Sequence, residues 1–342
     1  MNCPAIKPLF SIVAHGVDCV ELRSGVWNTH NHVLQDHAKN GSLLDIVKSL
    51  NGKLTVGDIA KKFNIKRSEI EGVIDQLNHL GVVEFSPASA FDSYIAHFDM
   101  SLKKYCSGPD FKHSILLLGE NEVSCEIKKL LENSLPAANN SIVCEDKEFL
   151  EFHKNLHPQI FHDGLAFERL LTRFEKWRHH LVVLVQRFVD PIAAHYLNRI
   201  CHALEIPWMH VAMDGPFIFI GPIFTGKGAC YDCFETRILM NIKQQESYLR
   251  YKEALAKGAV FSPATPLSPV LSHLMASHAA MEIINYCLTQ SAFVVRKALS
   301  IYIPLMEMTY NEVLQLSGCE TCGSIGKRDD QQLYFDVQSL LK

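Results

Sequence analysis

Two Cys-x2-Cys pairs are the residues of this sequence whose type and spacing most clearly predict chemistry: Cys230 with Cys233, and Cys319 with Cys322. Each pair places two thiolates on one tight turn, and a structural zinc ion takes four such ligands in a tetrahedron. Glycines on both sides of the pairs let the backbone reverse direction around a metal: Gly226, Gly228, Gly318 and Gly323. We therefore expect a closed zinc site that ties the C-terminal segment to the rest of the fold and catalyses nothing.

The bulk properties predict a cytoplasmic protein. The 11 cysteines are odd in number and irregularly spaced, and residues 1–13 lack an export signal, so a disulfide framework is not expected. The net charge is −4 without a block of like charges, which gives no sign of a nucleic-acid or membrane partner. The longest apolar stretches, such as Leu181–Val185 and Phe217–Ile220, are much shorter than the roughly 20 residues that cross a bilayer.

Residues 7–86 have the pattern of a winged helix-turn-helix, and we assign residues 1–86 to this domain. Short alternating segments predict strands at Leu9–Val13, Cys19–Arg23 and Val26–Thr29. Apolar spacings of three and four then predict three helices. The helices are expected over Leu43–Leu50, after an N-cap at Thr55, and from an N-cap at Ser68 to a stop at Gly81, with a closing strand at Val82–Phe85.

DNA binding is the first function that a winged helix suggests, and its charge argues against it. A recognition surface should be basic, because neutralising phosphates dominates affinity for DNA. Between Thr55 and Leu80 four acidic residues balance four basic ones: Asp58, Glu69, Glu71 and Asp75 against Lys61, Lys62, Lys66 and Arg67. A DNA-binding regulator therefore remains only an alternative.

The pattern changes after a predicted linker at 87–112. From His113 onward, strands made of continuous apolar residues alternate with helices, which is typical of a doubly wound, mostly parallel α/β sheet. The strands are predicted at Ile115–Leu118, Leu181–Val185 and Trp208–Met213, and helices at Val123–Leu131, Pro191–Leu204 and Val270–Leu288. The second domain is thus expected at 113–342.

Residues 113–342 resemble the ubiquitin-activating-type (ThiF-like) adenylation family. The order and spacing of several short motifs carry this resemblance: Asn198-Arg199 with Cys201, Ile206-Pro207-Trp208, Gly215, Gly221-Pro222, and Gly228-Ala229-Cys230-Tyr231-Asp232-Cys233. Residues 9–86 resemble the PqqD-like domains that recognise leader peptides, through Leu54-Thr55-Val56, Ile59-Ala60 and Leu80-Gly81-Val82-Val83. Together the two resemblances cover nearly the whole chain. They are the architecture of the leader-binding partner in the biosynthesis of thiazole/oxazole-modified microcins, a class of ribosomally made peptides that includes bacteriocins.

The loop that should hold nucleotide phosphates is degenerate. ThiF-like enzymes use a glycine-rich loop after their first strand, whereas here the loop keeps Gly119 and continues with Glu120, Asn121 and Glu122. Side chains and negative charge both oppose ATP at this position. Asp190 could stand for the family's adenylating aspartate, although a turn role before Pro191 explains it as well. We therefore expect no ATP binding and no catalytic residue in this chain.

The resemblance implies that the chain binds the leader of a precursor peptide and presents it to a separate YcaO-type cyclodehydratase, which forms azolines. In PqqD-like domains the leader adds a strand beside the third helix. Carried onto this sequence, the binding residues lie on one strand and one helix: Val26, Trp27, Asn28, Thr29, Arg67, Ile70, Glu71 and Ile74. For the isoleucines a simple core role stays open. A homodimer and a flavin dehydrogenase in the same complex are further partners that the resemblance allows, and an active ATP-dependent adenylating enzyme is the main alternative function.

Overall fold

The chain divides into two compact units, Met1–Lys104 and Tyr105–Lys342. The boundary falls inside the predicted linker 87–112, and this segment contains a helix that the sequence did not predict, at Ala90–His97. The structure is a computed structural model, and it describes residues 3–27, 30–85, 90–97, 113–135, 143–153, 158–261 and 266–323.

The N-terminal unit combines a small antiparallel sheet with helices. Among its described residues, three strands pair in the order β2-β3-β4, and β1 pairs separately with β5. The strands are β1 (Ala5–Ile6), β2 (Phe10–Ala14), β3 (Cys19–Ser24), β4 (His30–Gln35) and β5 (Val83–Glu84). The helices are α1 (Leu43–Ser49), α2 (Val56–Phe63), α3 (Arg67–His79) and α4 (Ala90–His97).

The third strand lies later in the chain than the sequence predicted. Val26 and Trp27 belong to the turn between β3 and β4, and the strand begins at His30. Gly25 adopts a φ of +76°, which ends β3, and the Arg23 guanidinium donates hydrogen bonds to the carbonyl oxygens of Gly25 (3.1 Å) and Val26 (2.7 Å). These bonds hold the backbone of Val26 in the turn. The prediction of a strand at Val26–Thr29 was therefore wrong for Val26 and Trp27, and Asn28 and Thr29 lie outside the described residues.

The helices of this unit are close to their predicted positions. Thr55 caps α2 as predicted, and Asp58 completes a capping box by accepting a hydrogen bond from the Thr55 backbone amide. Ser68 is not the cap of α3, because the helix already begins at Arg67, where the Lys66 carbonyl oxygen accepts the first amide bonds without help from a side chain. The closing strand β5 pairs with β1 and not with the three-stranded sheet.

The C-terminal unit is built on a mixed sheet. Over the residues that the structure describes, seven strands lie in the order β12-β11-β10-β9-β8-β6-β7. The four strands from β9 to β7 are parallel to one another, as predicted, and β10, β11 and β12 continue the sheet in antiparallel fashion. They are β6 (Ser114–Leu118), β7 (Val143–Glu145), β8 (His180–Val185), β9 (Trp208–Asp214), β10 (Phe217–Phe224), β11 (Lys297–Tyr302) and β12 (Glu307–Glu312).

Helices connect these strands, and the first cysteine pair lies at the start of one of them. They are α5 (Glu122–Ser134), α6 (Glu148–Phe152), α7 (Gly164–Phe174), α8 (Pro191–Ala203), α9 (Tyr231–Asn241), α10 (Gln245–Ala256) and α11 (Pro269–Thr289), with 3₁₀ turns at Pro158–Phe161 and Glu175–Trp177. The strands β6 and β8 are almost wholly buried, which explains their unbroken apolar sequence. In the part of the chain that the structure describes, every helix is too short or too polar to cross a membrane.

Candidate functional site

The four cysteines predicted as ligands come together. Their sulfur atoms all lie within 4.8 Å of one another, with 3.6 Å between Cys230 and Cys319 and 3.3 Å between Cys233 and Cys322. Sulfurs arranged tetrahedrally at about 2.3 Å from a zinc ion lie roughly 3.8 Å apart, so these separations fit such an ion. The cluster can hold a metal, and no ligand atom other than these sulfurs is needed to complete it.

Local backbone geometry positions the two pairs. Cys230 is the N-cap of α9, so the first turn of that helix places Cys233 beside it, and Gly228 before it adopts a φ of +83°. The second pair lies on a turn after β12, where a Cβ atom on Gly323 would collide with the Cys319 carbonyl oxygen. The Leu316 amide donates to the Cys233 sulfur over 3.3 Å, a bond that favours the thiolate form.

Polar side chains link both cysteine turns to α8. Asp232, between the first two cysteines, accepts hydrogen bonds from Thr321 in the second turn and from the His195 ring on α8, at 2.7 Å for the ring. Burial alone would raise the pKa of the Asp232 carboxyl, but the His195 contact keeps it below its usual range. Burial also raises the pKa of the Cys322 thiol to about 12, so metal binding has to displace a proton there.

The loop after β6 is filled by its own side chains. The Asn121 side-chain oxygen accepts the amides of Val123 (3.0 Å) and Ser124 (3.1 Å), and its nitrogen donates to the Val185 carbonyl oxygen over 2.9 Å. The Ser124 hydroxyl donates to the Gly119 carbonyl oxygen over 2.8 Å. The amides at the start of α5, which a phosphate would use in a nucleotide-binding loop, are therefore already bonded.

Acidic side chains occupy the space in front of this helix. Glu122 forms an ion pair with Arg187 at 2.6 Å and accepts the Leu267 amide over 3.0 Å, and Glu120 pairs with Lys147 at 2.7 Å. Burial opposes the charge on Glu122, but the hydrogen bonds from its own backbone amide, Arg187 and Leu267 leave its pKa lowered. The carboxylate is thus held in its charged form, as one half of an ion pair with Arg187 at the start of α5.

Asp190 has the turn role that the sequence allowed. Its carboxylate caps α8 by accepting the amides of Ile192 (2.9 Å) and Ala193 (3.0 Å), and His153 lies 3.6 Å from its other oxygen. Gln186 braces the same turn by exchanging hydrogen bonds of 3.1 Å with the Asp190 backbone. The Gln186 side-chain oxygen also contacts the Nε2 atom of the buried His210 over 2.9 Å.

The predicted leader-binding residues fall into two groups. Trp27 and Val26 are 96% and 77% exposed, whereas Ile70 and Ile74 are 1% and 5% exposed and belong to the core of the N-terminal unit. This burial favours the core role that the sequence left open for the isoleucines. Arg67 and Glu71 are exposed on α3 and pair with each other at 2.8 Å. Asn28 and Thr29 lie outside the described residues.

The sheet edge formed by β4 was not predicted. The Asp36 amide donates to the carbonyl oxygen of Asp18, the residue before β3, so by two-residue alternation the backbone groups of Asn31, Val33 and Gln35 point away from β3. Among the described residues these groups have no partner strand, and we call them the β4 edge. The Val33 side chain on this edge is 59% exposed. The sequence at 30–35 gives little signal for this strand, because Val33 and Leu34 are its only apolar residues and they are adjacent.

No protein-family profile and no curated protein matches this sequence. Solved structures do match its fold. A heterocyclase in complex with substrate and cofactor has a TM-score of 0.64 and 17% identity over 95% of this chain and 40% of that one. The heterocyclase TruD has a TM-score of 0.63 and 17% identity over 97% of this chain and 44% of that one. MccB of E. coli with AMPCPP and MccA has a TM-score of 0.52 and 14% identity over 94% of this chain and 100% of that one.

These similarities establish the fold, a mixed α/β architecture with a sheet rich in parallel strands, as in the heterocyclases. The chain spans less than half of the length of the two heterocyclase chains. At 14–17% identity they say nothing further about this chain's chemistry, which has to be argued from its own residues.

We expect one tightly bound metal ion per chain, and a lower melting temperature after its removal. A metal present at about 1,000 times its dissociation constant stabilises the folded state by about 4 kcal/mol, which corresponds to roughly 10 °C for a unit of this size. Metal analysis and thermal unfolding before and after chelation test this. Cys233→Ala should abolish binding, whereas Cys125→Ala, which changes an exposed thiol outside the cluster, should not. A metal content well below one per chain would contradict the site.

We expect acid to destabilise the fold through His210. Burial lowers the pKa of this histidine from 6.5 to about 4, so between these values the unfolded chain binds the proton and the folded chain does not. Stability should fall as the pH decreases through this window, by roughly 2 kcal/mol between pH 7 and pH 5. Denaturant unfolding at several pH values measures the slope. His210→Gln should flatten it and the exposed His37→Gln should not; an equal slope in both variants would refute the assignment.

Proposed function

We propose that this protein binds the leader of a ribosomally made precursor peptide and presents it to a YcaO-type cyclodehydratase in azole biosynthesis. The observation that carries the proposal is the β4 edge, beside which Trp27 and Val33 are exposed. Outward backbone groups supply hydrogen bonds to an added peptide strand whatever its sequence, and the exposed apolar side chains supply selectivity. The fold shared with a heterocyclase that binds a substrate supports this role.

The peptide would pair with Asn31, Val33 and Gln35. Their outward N–H and C=O groups repeat at every second residue, the spacing at which an added strand exchanges its bonds. Val33 lies on the opposite face of the sheet from the core residues Val20 and Leu22, so an apolar leader residue could cover it without disturbing the core. Trp27, which is exposed three residues before β4 in the chain, would offer a second apolar contact.

The chain itself would not activate the peptide with ATP. The first amides of α5 are bonded to Asn121, and the Arg187 guanidinium is paired with the Glu122 carboxylate, so both groups that could hold a phosphate here already have a partner. Asp190, the remaining candidate for an adenylating aspartate, caps α8 with one carboxylate oxygen. These contacts favour a role as a scaffold over the alternative of an active adenylating enzyme.

The metal of the four-cysteine centre would be zinc with a structural role. Four thiolates complete a tetrahedron and leave no position for a substrate, so the ion would hold the turn after β12 against α9.

We expect leader binding to depend on the β4 edge. Val33→Pro removes one outward amide and blocks strand addition, so the affinity of the full chain for a fluorescein-labelled leader, taken from a precursor gene beside this one, should fall at least tenfold. Trp27→Ala should also weaken it. Fluorescence polarisation measures both effects.

Ile12→Pro is the matched control for Val33→Pro. Ile12 lies on β2, at the opposite edge of the same sheet, and its backbone groups also point away from β3. This variant should keep the affinity of the unaltered chain, with circular dichroism confirming that both variants fold. Equal losses in the two proline variants would place the peptide elsewhere, and no binding by the unaltered chain would remove the proposal.

We expect no ATP–pyrophosphate exchange by the full chain, with or without the precursor peptide, because the start of α5 has no free amides for a phosphate. The exchange rate should equal that of a protein-free blank. Exchange above the blank that is lost in Asp190→Asn would establish the adenylating enzyme instead, since that substitution would remove the charge of the one candidate aspartate.

A further inference from the structure

Asn198 is a fully buried amide that lies against the four-cysteine centre. It belongs to α8, one turn after His195, so both side chains leave the same face of the helix towards the first cysteine pair. Its side-chain oxygen accepts the backbone amide of Tyr231 over 3.0 Å. Tyr231 directly follows Cys230, and this bond therefore holds the Asn198 amide group beside the Cys230 residue.

The nitrogen of the same side-chain amide group lacks a hydrogen-bond acceptor among the described residues. This Nδ2 atom is buried. Leaving a buried donor without a partner destabilises the folded state, so a buried group of this kind usually has a partner. The unpartnered Nδ2 atom belongs to the amide group that bonds to Tyr231, the residue next to Cys230, so the first cysteine turn is its nearest neighbour in the cluster.

We propose that Asn198 is a positioning residue of the metal centre, whose Nδ2 group donates an N–H···S hydrogen bond to the metal-bound Cys230 thiolate. A thiolate is a stronger acceptor than a thiol, so the donor gains its partner when the metal displaces the proton. Contacts of this kind orient ligands and typically change metal affinity by 10- to 100-fold. Asn198 would act through Cys230 and through the Tyr231 backbone together, which fixes both the sulfur and the start of α9.

The geometry distinguishes this role from that of the other polar neighbours. His195 and Thr321 both contact the Asp232 carboxylate, so they align the two cysteine turns without touching a sulfur. Leu316 provides a backbone amide to Cys233 in the second half of the cluster. Asn198 would give Cys230 the equivalent donor, from a side chain. Because this donor is a side chain, a substitution of Asn198 can remove its contact with the sulfur.

Nuclear magnetic resonance of the full chain loaded with ¹¹³Cd tests the contact directly. A hydrogen bond to a cadmium-bound thiolate transmits scalar coupling from the metal to the donor proton. We expect coupling between ¹¹³Cd and one side-chain amide proton of Asn198. Coupling to other donors of the cluster but not to Asn198, for example because a buried water takes the amide proton, would overturn the proposal. This measurement needs no substitution, so it does not depend on whether a variant folds.

Asn198→Asp provides a second measurement. The carboxylate can still accept the Tyr231 amide, but it replaces the donor with a negative charge beside the thiolate. In the cobalt-substituted chain we expect the thiolate-to-cobalt charge-transfer band to move to lower energy, and zinc affinity measured against a chelator to fall by about 10- to 100-fold. Asn241→Asp, at an exposed asparagine that bonds only to the Arg237 carbonyl oxygen, is the control. If the band and the affinity of Asn198→Asp were unchanged, the proposal would be wrong, and the only role of Asn198 would be its hydrogen bond to the backbone of α9.

Discussion

The return of the second cysteine turn onto the first is the constraint on which the C-terminal unit depends. Between Cys233 and Cys319 the chain forms the rest of α9, then α10, the long helix α11 and the antiparallel strands β11 and β12. Closing so long a loop costs conformational entropy, and that cost grows slowly with length. A metal ion bound by all four thiolates would offset this entropy cost, because it joins the two cysteine turns directly. Asp232 and Thr321 hold the same two turns together, so the closure does not rest on the sulfurs alone.

A second constraint acts where helices start at the carboxyl end of the parallel strands. The first amides of a helix need an acceptor, and a bound phosphate can provide one. Here Asn121 and Asp190 provide it for α5 and α8. A helix whose first turn is already satisfied gains nothing from a phosphate. The Asn121 carboxamide and the Asp190 carboxylate that cap α5 and α8 thus occupy amides that a nucleotide phosphate would need.

These interactions also explain what the sequence could predict. The cysteine spacing and the all-apolar strands β6 and β8 are local patterns, and both were found where expected. The strand at Val26–Thr29 was misplaced because Val and Trp favour strands, while the bonds from Arg23 that hold the turn are not visible in a sequence pattern. The helical spacing of Ile70 and Ile74 predicted that they share one face of a helix. It could not predict whether that face packs against the core or binds a ligand. Asn198 was noted only as part of a family motif, since an orphaned amide is visible only in three dimensions.

The three-stranded sheet of the N-terminal unit has two edges, and neither β2 nor β4 contains a proline or an Asp, Glu, Lys or Arg residue. An exposed edge invites pairing with other chains, and proteins protect edges that have no function with charge, proline or a short strand. The β4 edge has none of these devices within its described residues: Asn31, Val33 and Gln35 are uncharged. Next to it the chain exposes Trp27, the side chain that gains most from being covered. An unprotected edge with an exposed tryptophan would be a hazard in an isolated protein, and it is suited to one that holds a peptide. The proposed site of recognition would thus lie in a different unit from the loop after β6 that Asn121 and Glu122 fill, as expected of a protein that selects a substrate and leaves the reaction to a partner.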